Sequence, residues 1–486
     1  MINASRSPLL GLFRSQQATS RREQLCATLR LAIANGSLRL NEKLPSSRQL
    51  AADLALSRVT VEAAYARLES EGYLRRQTGR GTFVAITLPP ARAAAAIRNT
   101  GTLPLSARGE KISLAGGCQD PPLPVAFAAG SPDLRTFPHD QWRKLSTQVM
   151  RSTPSGWQGY GDPQGLLALR EALARHLNQS RGLRCAPQHI VILTSSQQAL
   201  QMLSLLLLDP DDRVWLEDPG YPGARQAFYC AGARLEGLRL DDEGAQILAA
   251  RSAPRLVYLT PSHQYPTGVA LTLTRRLAWL DYARLNHCWL IEDDYDSEFW
   301  FDEMPMPAMQ GLDRSERVIT LGTFSKSLFP SLRLAWMVVP DALVEPLCRL
   351  RSVLDGHSAQ LMQAVTAEFI NRGYYSAHLR YMRQLYASRQ RHLCRLLTEK
   401  CGDLLAIDPH HGGLQLSVTL KFNADDRQLS QRAAAAGLSL IPLSPLALEH
   451  ENRRQGFILG YAALTPAEIG VAVSLLATLL ESARSA

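Results

Sequence analysis

The sequence predicts a multidomain protein, with a winged helix-turn-helix at the N-terminal end and behind it a large α/β domain on a mostly parallel sheet. Three observations carry this. A chain of 486 residues is long for a single hydrophobic core. The basic charge is gathered at one end. Helix-period apolar spacing in the first part gives way to a stretch without periodicity, after which short apolar runs alternate with amphipathic helices. The domains are therefore expected at 1–86 and 125–486, joined by a linker at 87–124. Within the second, a large part is expected at about 150–345 and a small C-terminal subdomain at about 346–486.

Composition narrows the function classes. With 46% hydrophobic and 20% charged residues the chain is globular in type, and no run of about eighteen uncharged apolar residues is seen that would cross a bilayer. The first 25 residues lack the apolar core and cleavage site of an export signal. A cytoplasmic protein with no membrane partner is expected. The eight cysteines, at 26, 118, 185, 230, 288, 348, 394 and 401, form no Cys-x-x-Cys pair and no Cys/His cluster of metal-binding spacing. No metal is expected, and the thiols are read as reduced. Charge says more: residues 1–111 hold 17 Arg or Lys against 7 Asp or Glu, a net of +10, and since the whole chain is +9 the remainder stands at −1. A basic module beside a nearly neutral one points to a nucleic-acid-binding part joined to a small-molecule part.

In the first module, residues 20–36 make a helix with Leu25, Leu29, Ala32 and Ile33 on one face, closed by Asn35-Gly36. Ser46 with Gln49 three residues later is a capping-box signal for a short helix burying Leu50, Ala51 and Leu54. The turn Ala55-Leu56 leads to Ser57, which can cap a second helix burying Val61, Ala64, Tyr65 and Leu68. Two short helices on a tight turn are a helix-turn-helix. Its second helix turns Ser57, Arg58 and Thr60 outward. Arg58 is placed for a guanine edge or a phosphate, and Arg48 for the backbone of double-stranded DNA. YLRRQTGRGTFVA then alternates as a hairpin, a wing that presents Arg80. The runs LPSSRQLA, SRVTVEAAYARLESEGYL and GRGTFV together closely resemble the winged helix of the GntR family.

Residues 87–124 are rich in Pro, Gly and Ala and read as a tether with one short helical turn at 93–97. If flexible, it reaches about 30 Å or more. That length lets the two domains sit apart or exchange between protomers.

In the large domain, HIVILT, RVWLE, RLVYLT, CWLIED, RVITLG and LAWMVV are short apolar runs bounded by turn residues. They read as strands of a sheet buried on both faces, with ligands at the carboxyl edge. The informative residues follow those runs. Ser196 and Gln197 open a helix whose unbonded amides suit a phosphate. EDPGY places Tyr221 where a ring could stack on a flat cofactor, and TPSHQYPTG offers Tyr265 to the same place. Asp293 in EDDYDSEF could pair with a pyridinium nitrogen, and Tyr295 could hydrogen-bond a phenolic oxygen. In GTFSKSLFPSLRLAW a lysine amine, Lys326, precedes Arg333 by seven residues. A lysine condenses with an aldehyde when partly deprotonated, while Thr323, Ser325 and Arg333 supply hydroxyls and charge for a phosphate. Pyridoxal phosphate is the candidate cofactor. His410-His411, in a loop, is assigned no role.

From about residue 125 the chain resembles the fold-type I aminotransferases, on EDPGY, TPSHQYPTG, EDDYDSEF and GTFSK in this order. Winged helix, linker and aminotransferase-like domain together resemble the MocR/GabR-type transcriptional regulators. The resemblance implies a fold-type I, pyridoxal-phosphate-dependent transferase domain with Lys326 as the Schiff-base lysine and Asp293 at the ring nitrogen. It places Tyr295 near the phenolic oxygen, Tyr221 over the ring, and Ser196, Gln197, Thr323 and Arg333 around the phosphate. It also implies a homodimer in which each DNA-binding arm rests on the partner subunit.

Two positions depart from the enzymes. They carry asparagine where Tyr265 stands, whereas the regulators share the aromatic residue. In GFILGYAAL the enzymes' arginine for the substrate carboxylate is replaced by Ile458, and Arg453 and Arg454 lie in a different local context. Loss of that bidentate grip would weaken amino-acid binding by a few kcal/mol. The expected function is a transcriptional regulator that senses pyridoxal phosphate, an amine or an amino acid through Lys326. The alternatives are a working aminotransferase with an appended DNA-binding domain, or a large domain kept only to dimerise.

Overall fold

The computed structural model describes residues 8–86, 105–114, 125–152, 156–248, 252–301, 306–407 and 412–485. The chain divides into two compact units, Met1–Pro104 and Leu105–Ala486. The expected helical turn at 93–97, His410 and His411 lie outside the described residues.

Among its described residues the first unit has four helices, α1 (Pro8–Ser15), α2 (Arg21–Ala34), α3 (Ser47–Leu54) and α4 (Arg58–Ser70), and a hairpin of β1 (Leu74–Gln77) and β2 (Gly81–Val84). Serines start three of the helices: Ser20, Ser46 and Ser57 each accept the amide three residues on, at 3.1–3.2 Å. The capping box at Ser46 is half made, because the Gln49 side chain donates to Asp53 instead of turning back. Between α3 and α4 the chain reverses at Ala55, with φ 53°. Leu25, Leu29, Leu50, Val61, Leu68 and Val84 close one core. Helix α1 was not foreseen; Leu9 and Phe13, four residues apart, bury its inner face.

The second unit begins with α5 (Ala107–Leu114), a helix within the segment read as a tether. Then follow α6 (His139–Ser152), α7 (Leu167–Arg181), α8 (Ser196–Leu207) and α9 (Pro222–Ala231). The strands β3 (Ile190–Leu193), β4 (Arg213–Glu217), β5 (Arg234–Leu238), the small ladder of β6 (Leu240–Asp241) with β7 (Gly244–Ala245), β8 (Leu256–Leu259), β9 (Trp289–Asp293), β10 (Val318–Thr323) and β11 (Ala335–Val338) interleave with the helices. Seven of these strands form one sheet in the order β3-β11-β10-β9-β8-β4-β5. All pairings are parallel except those of β11, which runs against both β10 and β3. The expected mostly parallel sheet is present, and its interior strands β8, β10 and β11 are buried throughout.

The C-terminal part carries an antiparallel sheet of β12 (Leu405–Ile407), β13 (Gln415–Leu420), β15 (Gly456–Gly460) and β14 (Ile441–Pro442), in that spatial order. Helices Tyr374–Cys401 and Pro466–Arg484 cover it. The last helix is long and apolar enough to span a bilayer, yet Ile469, Val473, Leu476 and Leu480 belong to the main core.

Candidate functional site

The sheet's connectivity gathers the singled-out residues along one edge. Ser196, Tyr221, Tyr265, Asp293 and Lys326 all follow the carboxyl ends of parallel strands. Because β11 runs the other way, with Ala335 opposite both Thr323 and Leu193, Arg333 reaches that edge from the opposite direction.

Strand alternation decides between the two neighbouring aspartates. Asp293 shares a sheet face with Ile291, which packs in the cluster of α8 and α9, and its carboxylate accepts the Tyr258 hydroxyl at 2.7 Å. Asp294 takes the Arg181 guanidinium at 2.8 and 3.2 Å, with Ser262 and Ser297 completing its shell. Asp294 is therefore the structural carboxylate. Burial raises its pKa, but Arg181 outweighs that and the net shift is downward. Asp293 has no such partner: burial pushes its carboxyl up to about 7, with the Tyr258 bond pulling down and Asp294 and Asp296 pushing up. Its second oxygen is buried without a hydrogen bond. A carboxyl held this way fits the protonated nitrogen of an aromatic ring.

Lys326 sits in a short helical turn, Phe324–Ser327, capped by Thr323. Its amine lies against Gly130, where a methyl group would come within 2.8 Å of Nζ. Gly130 also has φ +64°, a conformation that favours glycine. It is delivered by the segment after the linker, which crosses the small sheet where Phe127 bridges Gly460. The Thr323 hydroxyl accepts the Ser325 amide at 3.0 Å and donates to Ser325 Oγ at 3.0 Å, so both side chains are fixed in the turn.

For the phosphate end, the first turn of α8 leaves the amides of Ser196 and Gln197 without helical acceptors. Ser195, rather than Ser196, is the capping side chain. Gln197 Nε2 donates to the Gly223 carbonyl at 2.9 Å, tying the start of α8 to the start of α9, which Tyr221 caps. A methyl group on Gly223 would meet the Tyr221 ring at 2.5 Å. Arg333 is exposed, holds a left-handed φ of 52°, and pairs with no carboxylate of the described residues. A non-glycine residue in that region costs about 1 kcal/mol or more, and such strain gathers at ligand sites. The orphaned Asp293 oxygen, the amine over Gly130 and the unpaired Arg333 together fit pyridoxal phosphate.

The aromatic residues lie together. The Tyr295 hydroxyl, expected to reach a phenolic oxygen, donates to the His263 carbonyl at 3.1 Å. Tyr265 meets Tyr221 edge-on at 5.5 Å and Tyr295 at 6.4 Å, so the three rings form one wall. Sequence reasoning missed Tyr258 and Gly130. The signal for Tyr258 was its fourth place in RLVYLT, two residues after Leu256, which needed the strand register to be read.

On the first unit, Arg48, Arg58 and Arg80 are exposed, with Arg58 only 3.9 Å from Glu62 in a solvent-facing pair. Ser57 and Thr60 hydrogen-bond each other through their hydroxyls at 2.8 Å as well as forming the cap. Those two hydroxyls therefore build the end of α4, and Arg58 is left as its outward cation.

Comparison with known proteins bears on both units. Residues 125–476 match the aminotransferase class I and II family, and residues 21–84 match the gntR family of bacterial regulatory proteins. The chain is 39% identical to the probable rhizopine catabolism regulatory protein MocR of Rhizobium meliloti, over 91% of this chain and 90% of that one. It is 31% identical to the HTH-type pyridoxine biosynthesis transcriptional regulator PdxR of Corynebacterium glutamicum, over 88% and 89%. Among solved structures, LysN, an α-aminoadipate aminotransferase of Thermus thermophilus complexed with N-(5'-phosphopyridoxyl)-L-leucine, matches with a TM-score of 0.69. It is 27% identical and covers 74% of this chain and 93% of its own.

Proposed function

Because the chain belongs to the aminotransferase class I and II family and carries a gntR-family winged helix ahead of that domain, the architecture of MocR-type regulators, we propose that it is a pyridoxal-phosphate-dependent transcriptional regulator. Its winged helix binds double-stranded DNA, with Arg58 facing the groove and Arg48 and Arg80 the backbone. Its large domain senses pyridoxal phosphate, or an amine or amino acid, at Lys326. The observation that carries this reading is Asp293, a buried carboxyl with one oxygen bonded and the other unmet.

When bound, the cofactor supplies an aldehyde and an electron-withdrawing ring. Lys326 holds the aldehyde end, Asp293 the ring nitrogen, and Tyr221 and Tyr265 the ring faces and edge. Ser196, Gln197, Ser325 and Arg333 hold the phosphate, and Thr323 fixes the turn that carries Ser325. Sensing requires the ligand to bind two arrangements of the protein with different affinity. The described part of the linker supports such coupling: α5 packs on α9, the helix that Tyr221 caps. The protein acts in the cytoplasm as a homodimer, with each DNA-binding arm on the partner subunit, which suits two half-sites one helical turn apart.

A working aminotransferase is the weaker reading, since Ile458 fills the place where a carboxylate grip would stand. Borohydride reduction of the purified protein followed by peptide mapping tests the reading. The tag is expected on the peptide containing Lys326, and operator binding at fixed salt is expected to differ between cofactor-free and loaded protein. A tag elsewhere, or none, refutes it.

A further inference from the structure

The second helix of the helix-turn-helix, α4, carries outward an apolar side chain that the unit's own fold does not use. Val59 is 78% exposed and takes no part in the core, whereas Val61, Ala64, Tyr65 and Leu68 make the buried face of the same helix. A β-branched residue in an exposed helical position also supports the helix less well than alanine would. Neither packing nor helix propensity therefore accounts for a valine at this place.

The groups around it narrow what it can meet. Ser57 and Thr60 turn their hydroxyls to each other and to the cap of α4. The Glu62 carboxylate accepts the Ser47 hydroxyl at 2.5 Å and lies 3.7 Å from Arg76 and 3.9 Å from Arg58. With these polar groups held by neighbours, the first turn presents two outward side chains, the Arg58 guanidinium and the Val59 methyl groups. Four and seven residues beyond Val59, on the same stripe of the helix, stand the half-buried Ala63 and the exposed Ala66. Such short side chains let the helix come close to the floor of a groove.

Those two outward groups match two different base edges. In the major groove the acceptors of guanine suit a guanidinium, and the C5 methyl of thymine suits an aliphatic side chain. Successive Cα atoms are about 3.8 Å apart and successive base pairs about 3.4 Å, so neighbouring residues of a first turn can address neighbouring pairs. We infer that Val59 reads a thymine methyl on the base pair next to the one that Arg58 takes. The inference rests on the proposed placement of α4 in the groove of double-stranded DNA. An apolar contact neutralises no phosphate, so it adds sequence preference without adding salt dependence.

Deoxyuracil differs from thymine by that methyl group alone, which makes the test specific. Operators are selected from random duplex DNA by the full-length protein, and each thymine of the selected sequence is replaced in turn by deoxyuracil at fixed salt. A single replacement should weaken wild-type binding roughly 4-fold, the value of one apolar carbon removed from water, and should lie next to the pair whose identity Arg58→Ala relaxes. Val59→Ala should bind the thymine operator more weakly by the same factor and no longer distinguish the two bases. It should keep the wild-type salt slope and an undiminished melting temperature, which a merely structural role would not allow. No methyl effect at any thymine, or a methyl effect that persists in Val59→Ala, overturns the inference. The deoxyuracil series on wild-type protein stands even if the variant does not fold. If no sequence is selected, the DNA-reading assignment itself fails; if one is selected and the methyl effect is missing, only the role of Val59 is wrong.

Discussion

The Tyr258 hydroxyl donates to one carboxylate oxygen of Asp293 at 2.7 Å, from the neighbouring parallel strand, and the other oxygen is left without a partner. Tyr258 stays protonated, because its own pKa is raised well above the ordinary phenol value by burial and by Asp293. The bond favours the ionised carboxylate, which is the form that pairs with a protonated ring nitrogen. Tyr258→Phe should therefore weaken cofactor binding roughly 10-fold, the value of one hydrogen bond to a charged group at the lower end. Absorbance titration of the cofactor measures it, and DNA affinity of the cofactor-free protein should not move.

Asp293 also predicts a pH dependence. Its folded carboxyl titrates at about 7, while an unfolded aspartate titrates near about 3.9. Between those values the folded state keeps a proton that the unfolded chain has lost, so stability falls as pH rises through this window. Glu217 and Glu298, also pushed up to about 7 by burial, act in the same direction. Asp293→Asn removes its own contribution and leaves the others. In thermal melts of cofactor-free protein, the variant's advantage over wild type should grow from pH 4 to about 7 and then level off. Its cofactor affinity should fall at every pH.

The winged unit separates stability from recognition. Ser57 caps α4, so Ser57→Ala should cost about 1 kcal/mol of stability in that unit, seen in its melting. Arg58 and Arg80 are exposed and hold nothing in place. Arg58→Ala should lower operator affinity without changing the melt, and Arg80→Ala should reduce the salt slope of DNA binding by about 1. A melting change in Arg58→Ala would show that its solvent-facing contact with Glu62 matters more than its exposure suggests.

What the sequence disclosed and what it hid follow from the range of the interactions involved. The serine caps at Ser46 and Ser57, the helix-turn-helix and six strands of the large sheet were legible because each rests on residues within a few positions of one another. The edge strand β5 was not: RLEGL pairs with β4 on one side only and has no apolar run of its own. Choosing Asp293 over Asp294 rested on the resemblance. The physical ground for it, Arg181 on one side of the sheet and Tyr258 on the other, is 113 and 35 residues away in the chain. Gly130 could not be connected to Lys326 without the fold that lays the post-linker segment across the small sheet. The bond from the Tyr295 hydroxyl to the His263 carbonyl was equally hidden, because a backbone carbonyl is invisible to any motif.

Helix α5 provides a test of how the large domain reports to the rest of the chain. Lys111 on α5 places its ammonium 5.6 Å from the centre of the Tyr229 ring on α9, and Tyr221, proposed to lie over the cofactor ring, occupies the N-cap position of α9. A rigid helix thus joins the site to the described part of the linker. A cation–π contact of this exposed kind is worth about 0.5–1 kcal/mol. Tyr229→Ala should loosen α5 and shrink the ratio of operator affinities with and without ligand by roughly 2- to 5-fold, the equivalent of that energy. Cofactor affinity should be unchanged, because Tyr229 is two turns from Tyr221 and half exposed. Lys111→Met, which keeps the aliphatic length and removes the charge, should give the same loss. An undiminished ratio in both variants would mean that α5 is only a passive tether, and that coupling leaves the large domain by another route.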